Sequence, residues 1–232
     1  MNILITRPLI DSEDLMGKLF SMGHKIIQIP TLKIFSSNME PINSDDYDAL
    51  VFTSANAIRN LKLKNENRSS PCFCVGAITE KIVRQSGFTN TFSAGGTVGA
   101  LKNLIISSDL TNEKSKIAYL CGDNISSNLD ADLKNEGFRI KKIINYFSEK
   151  ISELNEENKK IIENYPPDAI FVYSLRSAQS FIEIVKNYSL YPLMTGSTVM
   201  CISKKVANIF TADKWKKIKI FNPGEELLQI KE

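Results

Sequence analysis

Short apolar runs alternate with amphipathic stretches of about a dozen residues along most of this sequence, and no other feature constrains the fold as strongly. An apolar run too short for a helix, followed by a 3.6-residue period, reads as a strand leading into a helix. Repeated in series, such units require largely parallel sheets covered by helices, an α/β fold. The strand candidates are residues 2–6, 25–29, 49–53, 72–75, 90–92, 117–120, 139–146, 169–173, 198–202 and 218–221. Helix candidates lie between most of them, such as residues 12–22 with Leu15, Met16, Leu19 and Phe20 on one face. Two stretches break the alternation and read as linkers: 31–46, rich in Ser, Asn and Pro, and the Glu/Lys/Asn-rich 148–165. In the second, Ile151, Leu154, Ile161 and Ile162 are thinly spaced among charges, as on a surface helix.

The chain also repeats itself. Residues 3–23 align with 117–137 at a shift of 114, carrying Leu15 onto Leu129, Leu19 onto Leu133 and Gly23 onto Gly137. A shift of 120 carries Asp48, Ala49 and Ser54 onto Asp168, Ala169 and Ser174, and a shift of 127 carries Cys74 onto Cys201. Any two β-α units look somewhat alike, but this ordered set favours two similar α/β domains.

Composition removes several function classes. No apolar run approaches the roughly 18 residues of a membrane span, and Met1 leads into ILIT with no signal-like segment, so neither insertion nor export is expected. The net charge of +3 comes from Lys and Arg dispersed among acids, with no stripe for nucleic acid; the lysines of 214–219 lack aromatic interleaving beyond Trp215. Cys72, Cys74, Cys121 and Cys201 each sit in a strand-like run, far from the single histidine, His24. They read as reduced core thiols of a cytoplasmic protein, without zinc spacing.

In parallel sheets, ligands gather where strands end and helices begin, because free N–H groups and positive dipole ends meet there. The turns to inspect are Thr6-Arg7-Pro8, Thr53-Ser54-Ala55-Asn56, Gly76-Ala77-Ile78-Thr79, Cys121-Gly122-Asp123, Ser174-Leu175-Arg176-Ser177 and Ser203-Lys204-Lys205. Hydroxyls, small residues and nearby cations suit an anionic ligand; each hydroxyl taken alone is better read as an ordinary helix cap, and it is their convergence that favours a site. Ala94-Gly95-Gly96-Thr97-Val98-Gly99 has the wrong glycine spacing for a dinucleotide loop and reads as a helix start. No phosphate loop, nucleophile elbow or His-containing triad can be assembled, and His24 follows Gly23 in a helix-to-strand turn. Any chemistry must then rest mainly on positioning.

The opening ILITRP, Gly23, Pro30, DALVFTSANA from Asp48, CVGAITEKIVRQSGF from Cys74, YLCGD from Tyr119, the run from Gly137 to Tyr146 and DAIFVYSLRSAQSF from Asp168 together resemble the uroporphyrinogen-III synthase family. The resemblance spans nearly the whole chain. It implies a cytoplasmic, monomeric enzyme of tetrapyrrole biosynthesis without metal or cofactor, a cyclising lyase acting on the linear, eight-carboxylate hydroxymethylbilane. It also implies two flavodoxin-like α/β domains joined by a two-stranded ladder, one domain of residues 1–34 and 149–232 and another of 35–148. By the same resemblance Tyr146 is the candidate to assist departure of the substrate hydroxyl. Thr79, Ser54 and Ser174 match family turn positions, and Arg7, Gly76, Ala77, Ile78, Gly122, Asp123, Arg176, Ser203, Lys204 and Lys205 complete the expected substrate-binding set. At Val206 the family usually has threonine, which leaves a threonine contact there open and Lys204 or Lys205 as substitutes. A non-catalytic two-domain binder of a small anion is the rival expectation, because fold does not fix function.

Overall fold

The computed structural model describes residues 1–65, 67–111, 114–211 and 215–230. In chain order the strands are β1 (Asn2–Ile5), β2 (Lys25–Gln28), β3 (Leu32–Ser36), β4 (Ala49–Phe52), β5 (Cys72–Cys74), β6 (Thr91–Ser93), β7 (Lys116–Gly122), β8 (Arg139–Lys150), β9 (Ala169–Val172), β10 (Thr198–Cys201) and β11 (Lys217–Ile220). The α-helices are α1 (Leu9–Ser21), α2 (Ala55–Arg59), α3 (Ala77–Gln85), α4 (Val98–Ile106), α5 (Leu129–Asn135), α6 (Glu156–Asn164), α7 (Leu175–Asn187), α8 (Tyr191–Met194) and α9 (Lys204–Ala207). The chain divides into two compact units, Met1–Lys33 with Glu149–Glu232, and Ile34–Ser148. Among the described residues no helix is long and apolar enough to cross a membrane.

The first unit holds a parallel sheet in the order β11-β10-β9-β1-β2; the second holds one in the order β3-β8-β7-β4-β5-β6, parallel from β8 to β6. Beyond β3, these are one arrangement entered at two different strands. The repeat shifts convert the registers of one sheet into those of the other: Ile3 pairs with Ile26 as Ile117 pairs with Ile140, and Ile3 with Ala169 as Ile117 with Ala49. Val199 pairs with Ile170 as Cys72 pairs with Leu50, and Val199 with Ile218 as Cys72 with Thr91. Gly23 and Gly137, at φ 81° and 92°, end α1 and α5 in the left-handed conformation that glycine adopts without penalty. The next N–H returns to the helix in both: His24 to the Leu19 carbonyl, and Phe138 to that of Leu133, each at 3.1 Å.

Both faces of each sheet are buried, which explains why the central strands read as continuous apolar runs and not as alternating ones. In the first unit Leu4, Ile170, Val172, Val199 and Cys201 face one core, and Ile3, Ile5, Phe171, Tyr173 and Met200 the other. In the second, Leu50, Phe52, Cys72, Cys74 and Leu120 oppose Ala49, Val51, Phe73, Tyr119 and Cys121. All four cysteines are free and buried.

The stretch 31–46, expected to be linker throughout, contains β3. This strand is half-exposed and lies at the sheet edge, so it lacks the apolar run that marked the others. The Ser37 N–H donates to the Asn145 carbonyl, and the Ile151 N–H to the Thr31 carbonyl, an antiparallel pattern that carries β8 on to Lys150, beyond its expected end at 146. In 148–165, α6 forms behind an Asn155 cap that accepts the Asn158 N–H at 2.7 Å, and Leu154 and Ile162 are buried in the core. Lys214, named with the 214–219 lysines, lies outside the described residues.

Candidate active site

The carboxyl-terminal edge of the second sheet collects a compact set of hydroxyls. Tyr146 lies near the end of β8, Gly122 ends β7, and Thr53 and Ser54 follow β4. Ser54 caps α2 through its hydroxyl, which accepts the Asn56 N–H at 3.2 Å. Ser54 and the Gly122 backbone are neighbours of the Tyr146 phenol. Burial pushes the Tyr146 pKa above the usual tyrosine value, neighbouring Ser54 opposes that rise, and Cys121 and Asp123 add to it. The phenol is therefore neutral, a hydrogen-bond donor over the physiological range. Asp123 is occupied: one carboxylate oxygen accepts the Ser148 N–H at 3.1 Å and the other the Asn124 amide at 2.6 Å.

One strand further along, Gly76 caps α3 in extended backbone without a side-chain cap, leaving the first turn of Ala77, Ile78 and Thr79. Gly76 abuts Gly96, whose N–H donates to the Val75 carbonyl at 2.6 Å; a β-carbon on Gly76 would stand 3.2 Å from the Gly96 Cα. Ala77 and Ile78 are exposed, whereas Thr79 is buried at the third helical position, so the cap is Gly76 and not Thr79. The Ala94–Gly99 stretch is indeed a helix start, with Thr97 capping α4.

In the first unit the equivalent edge holds Arg7 after β1, Ser174 after β9 and Ser203 after β10. Arg7 lies over the Tyr173 ring, 4.1 Å from its centroid. Ser174 accepts the Ser177 N–H at 3.0 Å and Ser203 the Val206 N–H at 3.4 Å, so both serines are helix caps. Arg176 is half-buried in the first turn of α7, and Lys204 and Lys205 are exposed on the short α9. Val206, the residue in place of the family threonine, is 2 % exposed and packs in the core with Phe181 and Phe210.

The sequence pointed to the turns but missed the groups behind them. The hydroxyls of Thr53 and Tyr119 share a hydrogen bond at 3.2 Å, and burial, the main cause, pushes the Tyr119 phenol up to about 12. Tyr173 is raised further, first by burial and then by Glu226, while Arg7 opposes the rise. Tyr119 and Tyr173 carried a signal, a phenol among aliphatic strand residues, and of the two hydroxyls it is that of Tyr119 that has a hydrogen-bond partner. Glu226, buried in a tail without periodicity, carried none. Among the described residues no group of three His, Cys, Asp or Glu is placed to hold a metal.

This is a parallel α/β protein that gathers helix starts, hydroxyls and neutral phenols at its strand ends. The chain matches the family described as uroporphyrinogen-III synthase HemD over residues 13–220, and it belongs to that family. Its fold is similar to that of uroporphyrinogen-III synthetase from Helicobacter pylori 26695, with TM-score 0.65 and 18 % identity over 99 % of this chain and 97 % of that one. A mutant uroporphyrinogen III synthase from the extremely thermophilic bacterium Thermus thermophilus is similar at TM-score 0.55 and 12 % identity, covering 100 % and 97 %. No curated protein sequence matches the chain.

Proposed function

We propose that this protein is a uroporphyrinogen-III synthase: it cyclises hydroxymethylbilane to uroporphyrinogen III, inverting ring D and releasing water. Family membership over 13–220 is the observation that carries the reading. The hydroxyl of the substrate's hydroxymethyl group departs easily as water, because the pyrrole nitrogen pushes it out and leaves the methylene carbon on the ring as an azafulvene. Tyr146, neutral and beside Ser54, donates a hydrogen bond to the departing oxygen. The protein then holds ring D so that its substituted carbon attacks, giving a spiro intermediate in place of simple end-to-end closure; positioning of this kind supplies several kcal/mol without a strong acid or base.

The carboxylates are received at the helix starts of Gly76–Thr79, Ser174–Arg176 and Ser203–Lys205 and at Arg7, with free N–H groups and cations as partners. Asp123, already holding the Ser148 N–H, orders its turn. We assign residues 1–34 with 149–232 and 35–148 as the two domains, with the paired β3 and β8 as the ladder joining them. Paired strands that each cross from one compact unit into the other support this.

A coupled assay that supplies fresh hydroxymethylbilane and separates isomers I and III tests the proposal. Product enriched in isomer III, with chelator present throughout, is expected. Product no richer in isomer III than a protein-free control overturns it and leaves a binder of small anions as the better description.

A further inference from the structure

The pairing of β7 with β8 slips near its end: Cys121 pairs with Ile144, but Gly122 pairs with Tyr146, so Asn145 is an extra residue on β8. A bulge of this kind turns the residues that follow it to the opposite face of the strand. Ile144 is 40 % exposed, whereas Tyr146, which would otherwise share its face, is 9 % exposed and belongs with Ile143 to the core of Phe52, Ile58 and Leu120. Asn145 is fully buried and anchors the bulge, its amide donating to the Ala57 carbonyl at 2.6 Å.

Turned inward, the ring needs room that only a glycine leaves. A β-carbon on Gly122 would stand 2.6 Å from Cζ, 2.7 Å from Cε2 and 2.9 Å from the hydroxyl oxygen of Tyr146. All are well inside the roughly 3.5 Å of a comfortable contact. We propose that Gly122 is a positioning residue for Tyr146: its bare α-carbon seats the ring that the Asn145 bulge turns inward, and so fixes where the phenol stands. Gly122 acts through Tyr146 and not by binding substrate, an inference that rests on the reading of Tyr146 given above.

Gly122→Ala tests the seat. On the free protein, ultraviolet titration of the parent minus Tyr146→Phe isolates the Tyr146 phenol. Its midpoint should move in Gly122→Ala, downward toward the ordinary tyrosine value as burial is relieved. In the assay, Gly122→Ala should lower turnover to the level of Tyr146→Phe with KM unchanged, and adding it to Tyr146→Phe should lower turnover no further. If Gly122→Ala does not fold, Gly122→Ala with Tyr146→Ala, which removes the ring, should fold.

An unmoved midpoint overturns the seat, as does a raised KM or a turnover loss that adds in full to that of Tyr146→Phe. A double variant that fails to fold while Tyr146→Ala alone folds also overturns it. Parental turnover in Tyr146→Phe, with the midpoint still moved by Gly122→Ala, fails the catalytic reading alone.

Discussion

The carboxylate of Asp48 accepts the backbone N–H of Lys116 at 2.7 Å, and the Asp48 N–H returns to the Lys116 carbonyl at 2.8 Å. Asp168 and Asn2 make the same pair of bonds, at 2.7 and 2.8 Å. The aspartate repeated ahead of DALVF and DAIFV is thus a clamp that starts two adjacent parallel strands in register, and not a binding group.

Removing either clamp should cost stability and nothing else. Hydrogen bonds to charged groups contribute about 1.5 to 3 kcal/mol, and exposure places these near the bottom of that range. Asp48→Ala and Asp168→Ala should each lower the urea midpoint accordingly, and together should add, being in separate units. Midpoints equal to the parent's would remove the clamp.

The cysteines give a pH prediction. Burial pushes Cys74 and Cys201 up to about 12 and Cys121 up to about 11, and raises Cys72 as well. Their folded values exceed the unfolded one of about 8.5, so their contribution to stability is complete below that pH and is lost as pH rises through the folded values. The native protein should resist thiol reagents at pH 8, while the unfolded chain takes up four labels. Full labelling without unfolding would contradict this burial.

The succession of strands and helices along the chain, the helix starts and the internal repeat were legible because periodicity and turn chemistry are local. The edge strand β3 was not, since Lys33, Phe35 and Ser36 offer no clean alternation and its partner lies more than a hundred residues away. The Asn145 bulge was illegible for the same reason: a slip in pairing is a property of two strands, and it alone decides that Tyr146 faces inward. Val206 shows the reverse case, where a departure from family pattern that looked like a lost ligand contact is a residue of the core.

Lys204 and Lys205 are exposed cations just beyond the carboxyl end of β10 in the first unit. If they receive carboxylates, binding of hydroxymethylbilane should weaken as salt rises, and Lys204→Ala with Lys205→Ala should weaken it by about 1 to 3 kcal/mol. A dissociation constant unchanged in the double variant, with the salt dependence intact, would transfer the role to the first turn of α3.

Tyr146→Phe separates chemistry from structure. The phenol is buried beside Gly122 and Ser54, and a hydrogen bond from it to the departing oxygen would matter only as charge develops there. Turnover should fall while KM and melting temperature stay close to the parent's. General-acid assistance is worth about 10²- to 10⁴-fold, but this leaving group departs almost unaided, so the loss should lie at or below the bottom of that range. Because the pKa of Tyr146 is raised, its proton stays in place up to and beyond the ordinary tyrosine value of about 10, and the parent should show no loss from its ionisation below that pH. Isomer III should still form in the variant, since the fold continues to position ring D. Turnover equal to the parent's would strip Tyr146 of its role in the reaction, and a large drop in melting temperature at unchanged turnover would make it a residue of the core alone.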